Sequence, residues 1–202
     1  MTKAKKHILL GFGGHARQLA EIITESVTID YVSADVEASS LISFPLISED
    51  HILESFGPDD LILINGIGMI SRTSPRLAVS KKFRARGYDF LTIKDPNCHI
   101  KKSADIGNGS QIMAGSIIQS NVSLGEDCII NTNSSIDHDA KIFNLVHIGP
   151  GATVCADVCI GERTVVGPGA TICRGVQIGS NCLIKAGAVI SNNISDNSTV
   201  DK

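Results

Sequence analysis

Two histidines nine residues apart, His138 and His147, stand in the stretch SSIDHDAKIFNLVHIGPGA, which otherwise holds mostly small and aliphatic residues. His138 lies between Asp137 and Asp139. A carboxylate beside an imidazole stabilises the charged ring and raises its pKa. The result is a base that works near neutral pH, suited to taking a proton from an amine or hydroxyl as it attacks an acyl carbon. A lone histidine more often only satisfies a surface or interface hydrogen bond. The flanking acids set His138 apart from that case.

The elements that position these side chains declare themselves through a repeat. Stepping by six from Ile100 to Ile190 meets an aliphatic residue sixteen times in succession. Neither a 3.6-residue helix nor a two-residue alternation requires that period. The position four after each aliphatic is small or apolar, as at Ala104, Ser134, Ala152 and Cys182. Two inward positions in six describe a short strand and a tight corner, and three such units close a triangular coil. Stacked coils pair as parallel strands about 4.8 Å apart and share one core. Gly107, Gly125, Gly161 and Gly179 form a column at coil spacing, broken by Phe143, which suggests a corner with unusual backbone angles. Phe143 is expected either to mark a reshaped corner or to cover something. Another column, Ile129, His147, Val165 and Leu183, points outward and is too apolar to stay in water. It is expected to face a partner subunit in a closed three-fold assembly. Half a coil separates His138 from His147, so the two rings diverge within one chain and can share a pocket only across two.

The first half alternates strand and helix, the pattern of a small parallel sheet. HILL (7–10), TIDYVS (28–33) and DLILIN (60–65) read as strands, with YDFLTI (88–93) as a fourth. GFGGHARQLAEIITES reads as a glycine-rich turn opening a helix whose apolar side is Ala16, Leu19, Ala20, Ile22 and Ile23. A second helix is expected over Pro75–Arg86. Gly11-x-Gly13-Gly14 is not a full dinucleotide fingerprint, because the last glycine spacing and the acidic residue ending the second strand are missing. Gly66-Ile67-Gly68 ends the third strand at the same carboxyl edge, and two glycine-rich turns there suggest a ligand crevice. Asp95–Pro96 marks the boundary, giving a Rossmann-like α/β domain over 1–95 and a parallel β-helix over 96–202.

GFGGHA near the start, NGIG with a later arginine, and NTNSSIDHDA followed by HIGPGA resemble, in order and spacing, a group of bacterial sugar acetyltransferases within the left-handed β-helix hexapeptide-repeat family. That group includes UDP-4-amino-sugar N-acetyltransferases and sialic-acid O-acetyltransferases. The resemblance implies the left hand, acetyl-CoA as donor and a homotrimer. It also implies that His138 is the general base and Asp139 the residue that orients it. His147 would lie at the acetyl end of acetyl-CoA, with Pro168 and Ala186 as backbone contacts to CoA. Backbone N–H groups near His147 or Gly149 could stabilise the oxyanion. Gly13, Gly14, His15 and Gly68 match positions that hold the nucleotide-sugar. Where the nucleotide-sugar enzymes carry an acidic pair, this chain has Ser33 and Ala34, with Asp35 next. That departure puts UDP recognition in doubt and keeps O-acetylation of a sialic-acid-like sugar as an alternative. A non-catalytic trimeric sugar-nucleotide scaffold is the other. The chain ends at Lys202, where many members continue into a short Gly-Val-Pro-Ala-basic tail near CoA; a more open CoA pocket or a shortened chain follows from that.

The totals agree with a small-molecule enzyme of surface-glycan synthesis. A net charge of −3 gives no nucleic-acid footprint. No apolar run approaches the ~20 residues needed to span a bilayer, and no signal peptide is evident, so a cytoplasmic location is expected. The six cysteines are then free thiols. Cys155-x3-Cys159 lacks a second pair to make a zinc site. His99, His138 and His147 have unsuitable spacing for a metal shared between subunits, so no metal is expected.

Overall fold

The computed structural model describes residues 4–23, 27–34 and 44–201. They form two compact units, Met1–Gly68 with Ser74–Ile93, and Met69–Thr73 with Lys94–Lys202.

The first unit is built on three parallel strands, β1 (Lys6–Leu10), β2 (Tyr31–Ser33) and β3 (Leu61–Asn65), in the order β2-β1-β3. Leu10 pairs with Ser33 on one side and Asn65 on the other, so all three strands end level at one carboxyl edge. Helix α1 (Gly14–Ile23) buries Ala16, Leu19, Ala20 and Ile23 and leaves Ile22 half-buried. Residues 24–26 of the expected helix lie outside the described residues. A short helix that the sequence reading did not anticipate, α2 (Glu49–Ser55), starts where Ser48 accepts a hydrogen bond from His51 N and two acids occupy the first turn. Helix α3 (Pro75–Arg84) opens on a Ser74 cap with Pro75 pre-set for helical φ. It ends two residues before Arg86 because Gly87 takes φ +84°. The segment expected as a fourth strand only touches this sheet, and its last residue, Ile93, instead begins a two-residue strand of the coil, Ile93–Lys94. Phe90 bridges Leu63, and Leu91 N donates to Leu63 O at 2.8 Å.

The second unit is a left-handed parallel β-helix of two-residue strands arranged on three faces. His147–Ile148 sits on the first face between Ile129–Ile130 and Val165–Val166. Ser135–Ile136 and Lys141–Ile142 belong to the second and third faces. The six-residue series points inward, and from Ile112 to Ile190 none of its members is more than 3% exposed. Burying each such side chain is worth about 1.5–3 kcal/mol. The polar members of the second inward series are satisfied at the corners. Ser110 Oγ and Thr164 Oγ1 donate to Gly125 O and Gly179 O, each at 2.8 Å, and Ser134 Oγ donates to Asn131 O at 2.7 Å. Their burial therefore leaves no hydroxyl unpaired.

Two expectations about the corners are corrected. The glycine column does not carry the unusual angles. A Cβ at Gly161 would lie 2.5 Å from Gly179 C, so glycine is there because the neighbouring coil's backbone fills the space. The left-handed residues come two positions later, at Gly109, Asp127, Leu145, Arg163 and Asn181, with Asp139 in a parallel column. Phe143 neither reshapes its corner nor covers anything within the described residues. Its N–H bonds Ile160 O at 3.0 Å, as its column-mates bond their neighbours, and the residue is 52% exposed. In the outward apolar row, Ile129 and Val165 are buried against Met69 of the same chain, with Leu183 partly buried beside them.

Candidate active site

His138 follows the strand Ser135–Ile136, at the corner leading to Lys141. Asp137 Oδ1 accepts from His138 N at 2.8 Å, which fixes the backbone of the corner. Asp139 stands in the left-handed region, φ +61°, a conformation that Asp tolerates better than most residues. This turns its Oδ2 to 2.6 Å from His138 Nδ1. Its other oxygen accepts from Asn121 Nδ2 at 3.1 Å, one coil below. A carboxylate only accepts, so Nδ1 carries the proton and neutral His138 presents the Nε2 lone pair. The hydrogen bond to Asp139 holds the His138 pKa above its usual value; desolvation, the next contribution, opposes this, and the charges of Asp137, Asp139 and Asp157 add to it. The same bond, followed by that from Asn121, lowers the Asp139 pKa. Both side chains are 46% exposed, so the pair is open to an incoming ligand.

His147 is a different kind of group. It is 8% exposed. Thr132 N donates to Asn131 Oδ1 at 2.8 Å, which turns the Asn131 amide nitrogen to His147 Nε2 at 3.2 Å. Nε2 therefore accepts, and Nδ1–H donates to Met69 O. The ring is held neutral in one tautomer. It forms part of the wall of a cavity of about 440 Å³ together with Asn131, Pro168, Ala186, Val165 and Leu183. Gly149 does not line this cavity; a Cβ there would meet Val166 O at 2.7 Å. The expected oxyanion donors are also occupied, since His147 N and Gly149 N bond Thr164 O and Val166 O. His138 does not line the cavity either.

The sheet unit has its own cavity, about 650 Å³, at the carboxyl edge of the strands. Gly11, Phe12, Gly13, Ser33, Ala34 and Ile67 line it, with Ser48 and Glu49 from the start of α2. Gly13 and Gly14 face open space, where a ligand could approach the backbone. Gly14, His15 and Gly68 adjoin the cavity without lining it; a Cβ at Gly68 would lie 3.5 Å from His15 Cβ, so the two glycine-rich turns meet. Arg76, fully buried, donates to Asn65 O and Ile67 O at 2.8 and 2.9 Å and fixes the second turn. Asp35 lies outside the described residues. Ser48, Glu49, Asn121 and Asn131 were not singled out from sequence. Only the Ser-Glu-Asp start of α2 carried a local signal; the asparagines gain their roles through contacts made one coil away.

All six cysteines are free. Burial, then the neighbouring Cys173 and Asp137, push the Cys155 thiol up, away from nucleophilic use. Among the described residues no group of three or more His, Cys, Asp or Glu could hold a metal ion. No helix among them is long and apolar enough to cross a membrane.

The model of the bacterial transferase hexapeptide family (six repeats) matches residues 103–138, 139–174 and 164–192. The acetyltransferase domain of PglB from Neisseria gonorrhoeae is 30% identical, with a TM-score of 0.86 over 97% of this chain and 96% of that one. A further structure of that domain, in complex with acetyl coenzyme A, is 28% identical with a TM-score of 0.85. A histidine-to-asparagine mutant of perosamine N-acetyltransferase from Caulobacter crescentus, in complex with CoA and GDP-perosamine, is 25% identical, with a TM-score of 0.86 over 98% and 93% of the two chains. Among curated proteins, the bifunctional protein GlmU of Alkaliphilus oremlandii is 33% identical over 43% of this chain, and the chain spans only 22% of that relative.

Proposed function

The chain belongs to the hexapeptide-repeat family of bacterial sugar acetyltransferases, and from that premise we propose that it transfers the acetyl group of acetyl-CoA to the amino group of a nucleotide-linked amino sugar. The observation that carries this reading is the His138–Asp139 pair, an exposed imidazole held with Nε2 outward and its pKa raised by the Asp139 hydrogen bond. The amine attacks the thioester carbonyl directly. His138 Nε2 takes the amine proton, Asp139 steadies the imidazolium, and as the tetrahedral intermediate collapses the C–S bond breaks and that proton passes to the sulfur, so CoA leaves as the thiol and the base is restored. No cysteine takes part. The 440 Å³ cavity beside His147, with Pro168 and Ala186 in its wall, is the place for the acetyl end of the donor. Asn131 Nδ2 bears a second hydrogen beyond the one given to His147 and, with Lys185 also in the wall, is a side-chain donor in that cavity for the developing oxyanion. The acceptor's nucleotide lies in the sheet-unit cavity, with Gly13, Ser33 and Ala34 in its wall.

The nucleotide need not be uridine. Ser33 and Ala34 replace the acidic pair expected for UDP, and one relative is described in complex with GDP-perosamine. A hydroxyl acceptor on a sialic-acid-like sugar is the second reading, favoured by the same missing acids. A panel of GDP- and UDP-linked 4-amino sugars with acetyl-CoA, read by free-thiol release, tests the proposal beside free and CMP-linked nonulosonic acids. Thiol release with an amino-sugar nucleotide alone is expected. Release only with the nonulosonic acids would replace amine by hydroxyl transfer, and no release with any acceptor, together with no acetyl-CoA binding, would overturn the enzymatic reading.

A further inference from the structure

Residues Met69–Thr73 belong to the coil unit, although the residues before and after them in sequence belong to the sheet unit. The segment is neither helix nor strand, so side chains must hold it. Met69 is 4% exposed against Ile129 and Val165, and its carbonyl takes the Nδ1–H of His147. Ile70 is 87% exposed and lines the Asn131–His147 cavity. Arg72 then reaches the last coils. Its Nη1 donates to Asn197 O at 2.8 Å and Asn181 O at 3.4 Å, and its Nη2 donates to Thr199 Oγ1 at 3.2 Å. Hydrogen bonds from a charged donor are stronger than neutral ones. The other polar contact within the segment, Ser71 Oγ to Thr73 Oγ1 at 3.3 Å, is internal and anchors nothing to the coils.

We infer that Arg72 is a positioning residue for the acetyl-donor site: it straps 69–73 to the coils, so that Met69 O fixes the neutral His147 ring and Ile70 walls the cavity that takes the acetyl-pantetheine arm. The inference rests on reading that cavity as the donor site. A large apolar side chain that is almost wholly exposed beside a mostly aliphatic cavity gains most of its burial when the donor's apolar chain lies against it. Without the guanidinium, the five residues lose their far anchor, and Met69 O no longer holds the Nδ1–H of His147.

The test uses the full chain, with Arg72→Ala, Arg72→Lys and Ile70→Ala, steady-state kinetics in acetyl-CoA, and ¹⁵N spectra of the histidine rings. Arg72→Ala is expected to raise the KM for acetyl-CoA about tenfold with a much smaller change in kcat, and to shift the His147 Nδ1 resonance as the ring loses its hydrogen bond to Met69 O. Arg72→Lys recovers part of both effects. Ile70→Ala raises that KM on the order of fivefold and leaves the His147 spectrum unchanged. An Arg72→Ala protein with wild-type donor KM and wild-type His147 spectrum overturns the inference. Should that variant not fold, Ile70→Ala decides, because its side chain is exposed and an unchanged donor KM there also overturns it. If wild-type protein binds no acetyl-CoA, the donor-site reading itself has failed; the His147 spectrum of Arg72→Ala still reports whether the strap sets the ring.

Discussion

At the scale of single residues, the chemistry depends on which form of His138 does the work. The Asp139 hydrogen bond, chiefly, raises its pKa above the ordinary histidine value. A general base acts when neutral, so the rate rises with pH through the raised pKa and is lost below it. Asp139→Asn removes the main cause of the shift. The acid limb of the kcat/KM profile then moves to lower pH, while the plateau falls because the imidazolium formed in the transition state is no longer steadied. A limb that stays in place or moves to higher pH would show that Asp139 does not set the base. The acids beside His138 were legible in sequence, because chain neighbours needed no fold to meet. Asn121 and Asn131 were not, since each reaches its partner across a coil, to Asp139 and to His147. The tautomer of His147 was equally hidden, as its partner Met69 lies 78 residues away in sequence.

At the scale of elements, the coil can be tested through its two kinds of corner position. Gly161→Ala drives a Cβ to within 2.5 Å of Gly179 backbone, which no rotamer can relieve. Overpacking of this kind costs about 1–3 kcal/mol, so a clear fall in the thermal midpoint is expected. Two residues on, Arg163 holds φ +61°, and its Nε is buried without a hydrogen bond, with Glu162 Oε1 at 3.8 Å. Arg163→Asn suits the left-handed region and removes the buried donor, and it is expected to stabilise the coil by about 1 kcal/mol. Thermal unfolding of the two variants checks both signs; equal effects would mean that the corner geometry is misread. The six-residue period made the coils legible because burial repeats at every corner. It misled about the glycine column, since glycine answers both to positive φ and to close backbone approach, and sequence does not separate the two. Helix α2 and the 69–73 segment went unseen for a plainer reason. The helix buries only Ile52, and the segment has no period at all.

At the scale of the whole molecule, we propose that one chain does not complete the site. His147 stands on the first face of the coil and His138 at the corner between the second and third faces. On this proposal a site using both rings takes one from each of two chains, as in a homotrimer; within one chain Met69 covers part of the row around His147. Sedimentation equilibrium is expected to give three times 21.3 kDa. Co-expressed His138→Ala and His147→Ala chains should form mixed assemblies with activity that neither pure variant has. Mixed assemblies as inactive as the pure ones would place both rings in one protomer's site or remove His147 from it. The central claim is proton abstraction by His138, and its most direct test is thiol release from acetyl-CoA by wild-type and His138→Ala protein at saturating amino-sugar nucleotide. The account predicts that kcat falls by about 10²–10⁴, the usual share of a general base, with acetyl-CoA binding kept. Undiminished turnover by His138→Ala would contradict it.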